Sequence, residues 1–297
     1  MKDLRDSIFD YVISAMKKNK HSFFLSVDQG AFGYELLKKQ FPNRCINIGI
    51  SEQNAVGVAA GMALEGKIVF IYAISSFIYS RAFEQIKLNL CSMNLKVCII
   101  SSGPGYCYAP DGPTHYSLED INILNSIPNM KIYSPFDDKT CKLSVDDFIN
   151  SEGPAYIRAD KGLFVTQKNS GIEITEIING KNTVIITHGY FINEISKNIK
   201  QLIKRNIGLI GLNRLKPIKE SNLIKKINKY KKLIFVDDSW PKASYGLQIS
   251  NILTKNQINK KLIILSSKEN FYKKGGKRDE ILRDNNLDIS SIIKKCN

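Results

Sequence analysis

Short β-branched runs alternate with helix-length segments along the 297 residues of the chain. Residues 3–18 set Leu4, Ile8, Val12 and Met16 four apart, which makes one apolar stripe of a helix. Strand-like runs follow at 22–27, 45–50, 67–72, 95–101, 130–134 and 154–158, with helical segments at about 52–64, 78–92, 117–126 and 137–150 between them. Such alternation predicts parallel sheets with crossover helices. After Asp160 the pattern loosens into the polar stretch Gln167-Lys168-Asn169-Ser170-Gly171. A second strand–helix series then begins, with strands at about 182–187, 206–212, 231–237 and 260–265. The expected architecture is α/β with two doubly wound, mostly parallel domains, residues 1–168 and 169–297.

Composition narrows the class. With 43% hydrophobic and 24% charged residues, both domains have the means to bury a core. No apolar run approaches the roughly 20 residues of a membrane span. The start, Met1-Lys2-Asp3-Leu4-Arg5, lacks a signal peptide's apolar stretch, so a cytoplasmic protein is expected. The six cysteines form no C-x-x-C pair and have no histidine at metal-ligand spacing, so they read as reduced small hydrophobes. The net charge of +15 is spread over the chain. Its densest groups, Lys225-Lys226 through Lys231-Lys232, lack aromatics at stacking positions. That argues for solvated faces over a nucleic-acid surface, and an anionic substrate or cofactor also fits.

In a parallel sheet, ligands collect at the carboxyl ends of strands. Three loops leave such ends: Asp28-Gln29-Gly30, Gly49-Ile50-Ser51-Glu52-Gln53-Asn54, and the stretch from Gly103 to His115. Ser51 and Glu52 open a helix, and an acidic residue there is explained by capping and the helix dipole alone. The helix itself is unusual. Ala55, Gly57, Ala59, Ala60, Gly61 and Ala63 make one side small, which suits close approach of another backbone. In the third loop, three glycines and three prolines shape an irregular path that delivers Asp111 and His115 to the same region.

Taken together, Arg44…Asn47-Ile48-Gly49-Ile50-Ser51-Glu52-Gln53-Asn54, Phe77…Arg81-Ala82-Phe83-Glu84-Gln85-Ile86, Asp111-Gly112-Pro113-Thr114-His115…Glu119-Asp120 and Ile127-Pro128-Asn129-Met130 resemble the pyrimidine-binding domain of transketolases and deoxyxylulose-phosphate synthases over residues 20–160. Asn213-Arg214-Leu215-Lys216-Pro217-Ile218, Asp237-Asp238 and Tyr245-Gly246 are more diffusely similar to the transketolase C-terminal domain. The resemblance implies that Glu52 hydrogen-bonds and activates the aminopyrimidine of thiamine diphosphate. It implies that Phe77 stacks on that ring, with Asp28 and Ile74 near the cofactor. His115 and Asp111 would meet the donor's hydroxyls, His115 also assisting proton transfer. Arg158 would hold a substrate phosphate, with Arg81 adding charge nearby.

Two positions depart from the family. A phosphate-contacting histidine expected twelve residues before His115 is Gly103, and an aromatic common at position 74 is Ile74. The loss of bulk at Gly103 is expected to open room for a larger group. The chain also has no Gly-Asp-Gly, the motif by which the family binds the metal and diphosphate. The resemblance therefore implies the C-terminal subunit of a split enzyme transferring a two-carbon ketol unit between sugars or sugar phosphates. No metal site is expected in this chain. Magnesium or calcium would be held mainly by an N-terminal partner carrying Gly-Asp-Gly, in a heterotetramer with self-association. The alternatives are a related thiamine diphosphate synthase and, from another class, a non-catalytic scaffold or nucleic-acid-binding protein.

Overall fold

A computed structural model describes residues 3–162, 164, 167, 169–272 and 276–296. The strands are β1 (Ser22–Ser26), β2 (Cys45–Asn47), β3 (Ile68–Ile74), β4 (Val97–Ser102), β5 (Lys131–Tyr133), β6 (Ala155–Ala159), β7 (Ile174–Ile178), β8 (Thr183–His188), β9 (Ile207–Leu212), β10 (Arg214–Lys216), β11 (Lys232–Val236) and β12 (Lys261–Leu265). They form a seven-stranded sheet, β10-β5-β6-β4-β3-β1-β2, and a five-stranded sheet, β12-β11-β8-β9-β7. Every pairing is parallel except two, β10 with β5 and β7 with β9. The expected α/β class with two mostly parallel sheets is what the chain adopts. The expected boundary at residue 168 lies outside the described residues.

The elements follow from their residues. All six residues of β4 are buried, as a central parallel strand covered on both faces requires. The first helix, Leu4–Lys18, buries Leu4, Ile8, Val12 and Met16 as its period predicts. Asp3 caps it by accepting the Arg5 N–H at 2.9 Å. Phe9 on the same helix meets the Tyr72 ring of β3 edge-on, with centroids 4.9 Å apart. One apolar cluster contains Ile132 and Tyr156 of the first sheet together with Val184, Ile186 and Phe235 of the second, so the two sheets share a core. All six cysteines are unpaired, and five are buried. No helix among the described residues is long and apolar enough to cross a membrane.

Four expectations change. β2 stops at Asn47 rather than 50, because the Asn47 side chain accepts the N–H groups of Asp28 (3.1 Å) and Gly49 (3.0 Å) and turns the chain out of the sheet. The helix expected at 78–92 starts earlier, as Ser75–Arg81, and breaks at Ala82 before Phe83–Gln85 and a π-helical turn over Ile86–Ser92. The helix expected at 117–126 shortens to Asp120–Asn125, since Ser117 instead bridges to Gly105. Two antiparallel edge strands, β7 and β10, lay outside the expected set. β10 follows the second sheet's β9 after one residue, yet closes the edge of the first sheet.

Candidate active site

The carboxyl ends of β2, β3 and β4 bring one row of side chains together. Glu52 opens the helix Glu52–Leu64 and is 5% exposed. Its Oε1 accepts a hydrogen bond from Arg81 Nη1 at 3.0 Å. The Arg81 guanidinium lies over the Phe77 ring, 4.0 Å from its centroid. Phe77 meets the His115 ring edge-on, with centroids 4.9 Å apart, and His115 meets Tyr108 at 5.9 Å. His115 Nδ1 is engaged with Thr114 Oγ1 at 2.9 Å. The Thr114 carbonyl in turn accepts the Ser76 hydroxyl, which ties this loop to the helix bearing Phe77.

A buried hydroxyl chain underlies the row. Tyr156 donates to Asp120 Oδ2 at 2.9 Å, while Ser101 Oγ donates to the phenol oxygen at 2.6 Å and Ser75 Oγ lies 2.8 Å from it. Ser75 Oγ also lies 2.6 Å from Ser117 Oγ. The start of the Phe77 helix and the end of the His115 loop are thus anchored to one strand. Satisfied networks of this kind hold their surroundings rigid.

Glu52, Phe77, Arg81 and His115 are brought together as the sequence suggested. Ile74, the last residue of β3, is half-buried beside the start of the Phe77 helix. Asp28 is exposed, has a positive φ of 51° and accepts the Asn47 amide at 2.9 Å, so it shapes the first loop. Its neighbour Gln29 donates to the Tyr108 hydroxyl at 2.9 Å. Asp111 is exposed on a 3-10 turn, Ala109–Asp111, outside the ring contacts. Arg158 stands elsewhere. It is 4% exposed, and its Nε donates to Asp120 Oδ2 at 2.9 Å. Burial works against its charge, but Asp120 and Asp238 outweigh that and hold its pKa above the ordinary value.

The other side of the Gly103–His115 loop faces the second sheet. Tyr106 N–H donates to Asp238 Oδ2 at 3.2 Å, and a Cβ on Gly105 would lie 1.9 Å from that oxygen. Arg278 donates to both oxygens of Asp160, at 2.8 and 3.0 Å, and to Asp238 at 3.3 Å. Burial raises the Asp238 pKa, but Arg278 and Arg158 outweigh it, so the net shift is downward. Arg158 Nη1 lies 3.4 Å from His188 Nδ1, which Ser134 Oγ also approaches at 3.0 Å. Burial first and then the Arg158 charge push His188 down to about 3, so its ring is neutral at pH 7. A residual cavity of about 10 Å³ between Arg158, His188, Asp238 and Arg278 has room for about one water.

The expectation that Gly103 opens space is corrected. Gly103 has φ +80°, and a Cβ there would lie 1.8 Å from Tyr108 Cε2. The Tyr108 ring therefore occupies the room that the missing side chain leaves. Its hydroxyl is held 2.8 Å from Ser102 Oγ as well as by Gln29. Sequence reasoning named Gln29 only as part of the first loop and did not identify Tyr108, Lys161 or the Tyr156–Asp120 pair. The Lys161 ammonium stands 4.1 Å from the Tyr108 ring centroid and is exposed. A signal for Tyr108 existed, in that a glycine beside a buried aromatic marks close approach, but it did not say which aromatic.

Comparison with known proteins gives the family of the chain. Residues 2–166 match the family model described as transketolase, pyrimidine binding domain. A protein of Methanocaldococcus jannaschii, provisionally named a transketolase C-terminal section, is 30% identical over 99% of this chain and 95% of its own length. One subunit of the apulose-4-phosphate transketolase of Actinobacillus succinogenes is 28% identical over 86% of this chain and 84% of its own. Among solved structures, a split gene transketolase described as an inactive beta4 tetramer superposes with a TM-score of 0.86 at 22% identity, covering 100% of this chain and 98% of that one. The chain belongs to the transketolase family and corresponds to its C-terminal section.

Proposed function

We propose that the chain supplies the pyrimidine-activating half of a two-chain thiamine diphosphate enzyme that moves a two-carbon ketol unit between sugars. A separate N-terminal subunit would hold the diphosphate and its magnesium. One observation carries this reading: Arg81 lays a flat, delocalised N–H donor on the Phe77 ring and against the Glu52 carboxylate. An aminopyrimidine is also flat and also offers N–H to a carboxylate, so the residues present fit it. Arg81, half-exposed, is the group that such a ring would displace.

When bound, thiamine diphosphate supplies the centre that stabilises a carbanion during C–C cleavage and formation. The residues of this chain do the rest. Glu52, buried at a helix N-terminus, holds a proton shared with the ring nitrogen. Phe77 supports the face of the ring. His115, with Nδ1 committed to Thr114, keeps Nε2 for the substrate and can move a proton there. Asp111, on the same loop, is proposed to meet sugar hydroxyls.

The helix Glu52–Leu64 supports a partner. A Cβ at Gly57 or Gly61 would meet nothing within 4 Å, and Ile50 beside Glu52 is 74% exposed. The names of the relatives point the same way: one is a C-terminal section, one a subunit of an enzyme named for a sugar phosphate, and one an inactive tetramer of β chains.

The reading is tested by titration calorimetry. The chain alone is expected to bind thiamine diphosphate weakly and without magnesium dependence. The reassembled pair is expected to bind it tightly with magnesium. Tight magnesium-dependent binding by the chain alone would overturn the two-chain reading.

A further inference from the structure

In ketol transfer His115 must hold its Nε2 toward the substrate through every step. The contact with Thr114 orients the imidazole only within its own loop, since the two residues are neighbours and move together. Across the site the imidazole meets two rings, Phe77 at 4.9 Å and Tyr108 at 5.9 Å. They are held differently. Phe77 is half-buried on the helix Ser75–Arg81 and carries a half-exposed guanidinium on its face. Tyr108 is 9% exposed and is fixed at its hydroxyl and along one edge.

The Tyr108 hydroxyl accepts from Gln29 Nε2 at 2.9 Å and lies 2.8 Å from Ser102 Oγ. Ser26 Oγ donates to the Gln29 carbonyl at 3.2 Å, and the Tyr72 hydroxyl donates to Ser102 Oγ at 3.4 Å. The ring edge lies in the space at Gly103, where φ is +80° and a Cβ would stand 1.8 Å from Tyr108 Cε2. Tyr108 is thus tied to β1, β3 and β4 at once, and a satisfied network of buried hydroxyls is rigid. We propose that Tyr108 is a positioning residue for ketol transfer: it holds the His115 imidazole in place for the substrate and acts on the reaction only through it. This rests on the ketol-transfer reading and on the part given there to His115. A tyrosine that only filled the gap at Gly103 would matter to stability and not to His115.

The test uses the chain reassembled with its diphosphate-binding subunit, thiamine diphosphate and magnesium, with xylulose, fructose and their phosphate esters as ketol donors. Tyr108→Leu is expected to lower kcat by about 10- to 100-fold with KM changed by less than about twofold, as a misplaced catalytic group does. Affinity for thiamine diphosphate should stay the same. Tyr108→Phe keeps the ring and loses the Gln29 and Ser102 contacts, so its kcat should fall between the two. In a His115→Ala pair, either Tyr108 change should cost less than about a further twofold, because no imidazole is left to misplace. Carbethoxylation by diethyl pyrocarbonate gives a readout that needs no turnover. His115 should react several-fold faster in Tyr108→Phe or Tyr108→Leu than in the wild type, while exposed His21 reacts at the same rate in all three. A loss that falls on KM or cofactor affinity, an additive loss in the His115→Ala pair, or an unchanged His115 reactivity would overturn the assignment while leaving ketol transfer standing. A wild-type pair inert toward every donor would remove both.

Discussion

The two sides of the Gly103–His115 loop treat charge in opposite ways. On one side Gly105 and Tyr106 close against Asp238, and the guanidiniums of buried Arg158 and half-buried Arg278 both have carboxylates in contact. On the other side Tyr108 and His115 stand with Phe77, Arg81 and Lys161, whose cations reach solvent. Glu52 on that side is buried, and its partner Arg81 is half-exposed. Paired, dry charges join two sheets. Charges left half-satisfied at strand ends are available to a ligand. The same short segment serves both because its glycines let Gly105 and Tyr106 press on Asp238 while Tyr108 and His115 meet each other beside Phe77.

The largest effect that would sharpen this contrast is on activity. Glu52→Gln in the reassembled pair should lower kcat by about 10²- to 10⁴-fold, the range for losing a positioned proton-transfer group. The amide keeps the shape and the contact with Arg81, so thermal stability should hardly move. Near wild-type turnover would remove Glu52 from the chemistry.

On the closed side the effect should fall on stability. Arg278→Met leaves Asp160 and Asp238 buried without their main partner, a change worth about 3–5 kcal/mol. Denaturant unfolding of the full chain measures it. A loss below about 1 kcal/mol would show that water reaches these carboxylates and that the two sides differ less than their burial suggests.

A smaller and more specific effect concerns pH. His188 is held near 3 in the folded chain, against an unfolded value near 6.5. Below pH 6.5 the unfolded chain takes up a proton that the folded chain refuses, so His188 costs stability as pH falls toward 3. Across that window His188→Asn should flatten the fall by up to one proton, about 1.4 kcal/mol per pH unit. Parallel curves for the two proteins would mean that His188 titrates normally and that the closed side is open to solvent.

The parallel strands are legible in the sequence because a strand buried on both faces is a continuous apolar run, as in Val97-Cys98-Ile99-Ile100. The grouping of Glu52, Phe77, Arg81 and His115 is legible because each lies at a strand end or on the helix that leaves one. Tyr108 is not, since a glycine announces space for a neighbour without naming it. Arg158 is legible in its place along the chain but not in its surroundings. The sequence puts it at a strand end, but only the fold shows that Asp120 and the Gly103 loop enclose it. β10 escapes notice because Arg214-Leu215-Lys216 is three residues long and polar at both ends, which leaves no period to detect.

That short strand bears on how the chain is made. β5 and β6 leave the ribosome well before β10, yet β5 has one edge free until Arg214 and Lys216 pair with it. During synthesis the first sheet therefore waits, with backbone groups of β5 unpaired, for a segment encoded beyond β9. An open edge of this kind is where growing chains join one another. Translation that pauses between β6 and β10 would prolong the exposure, and chaperone contact with the nascent chain should be greatest in that interval.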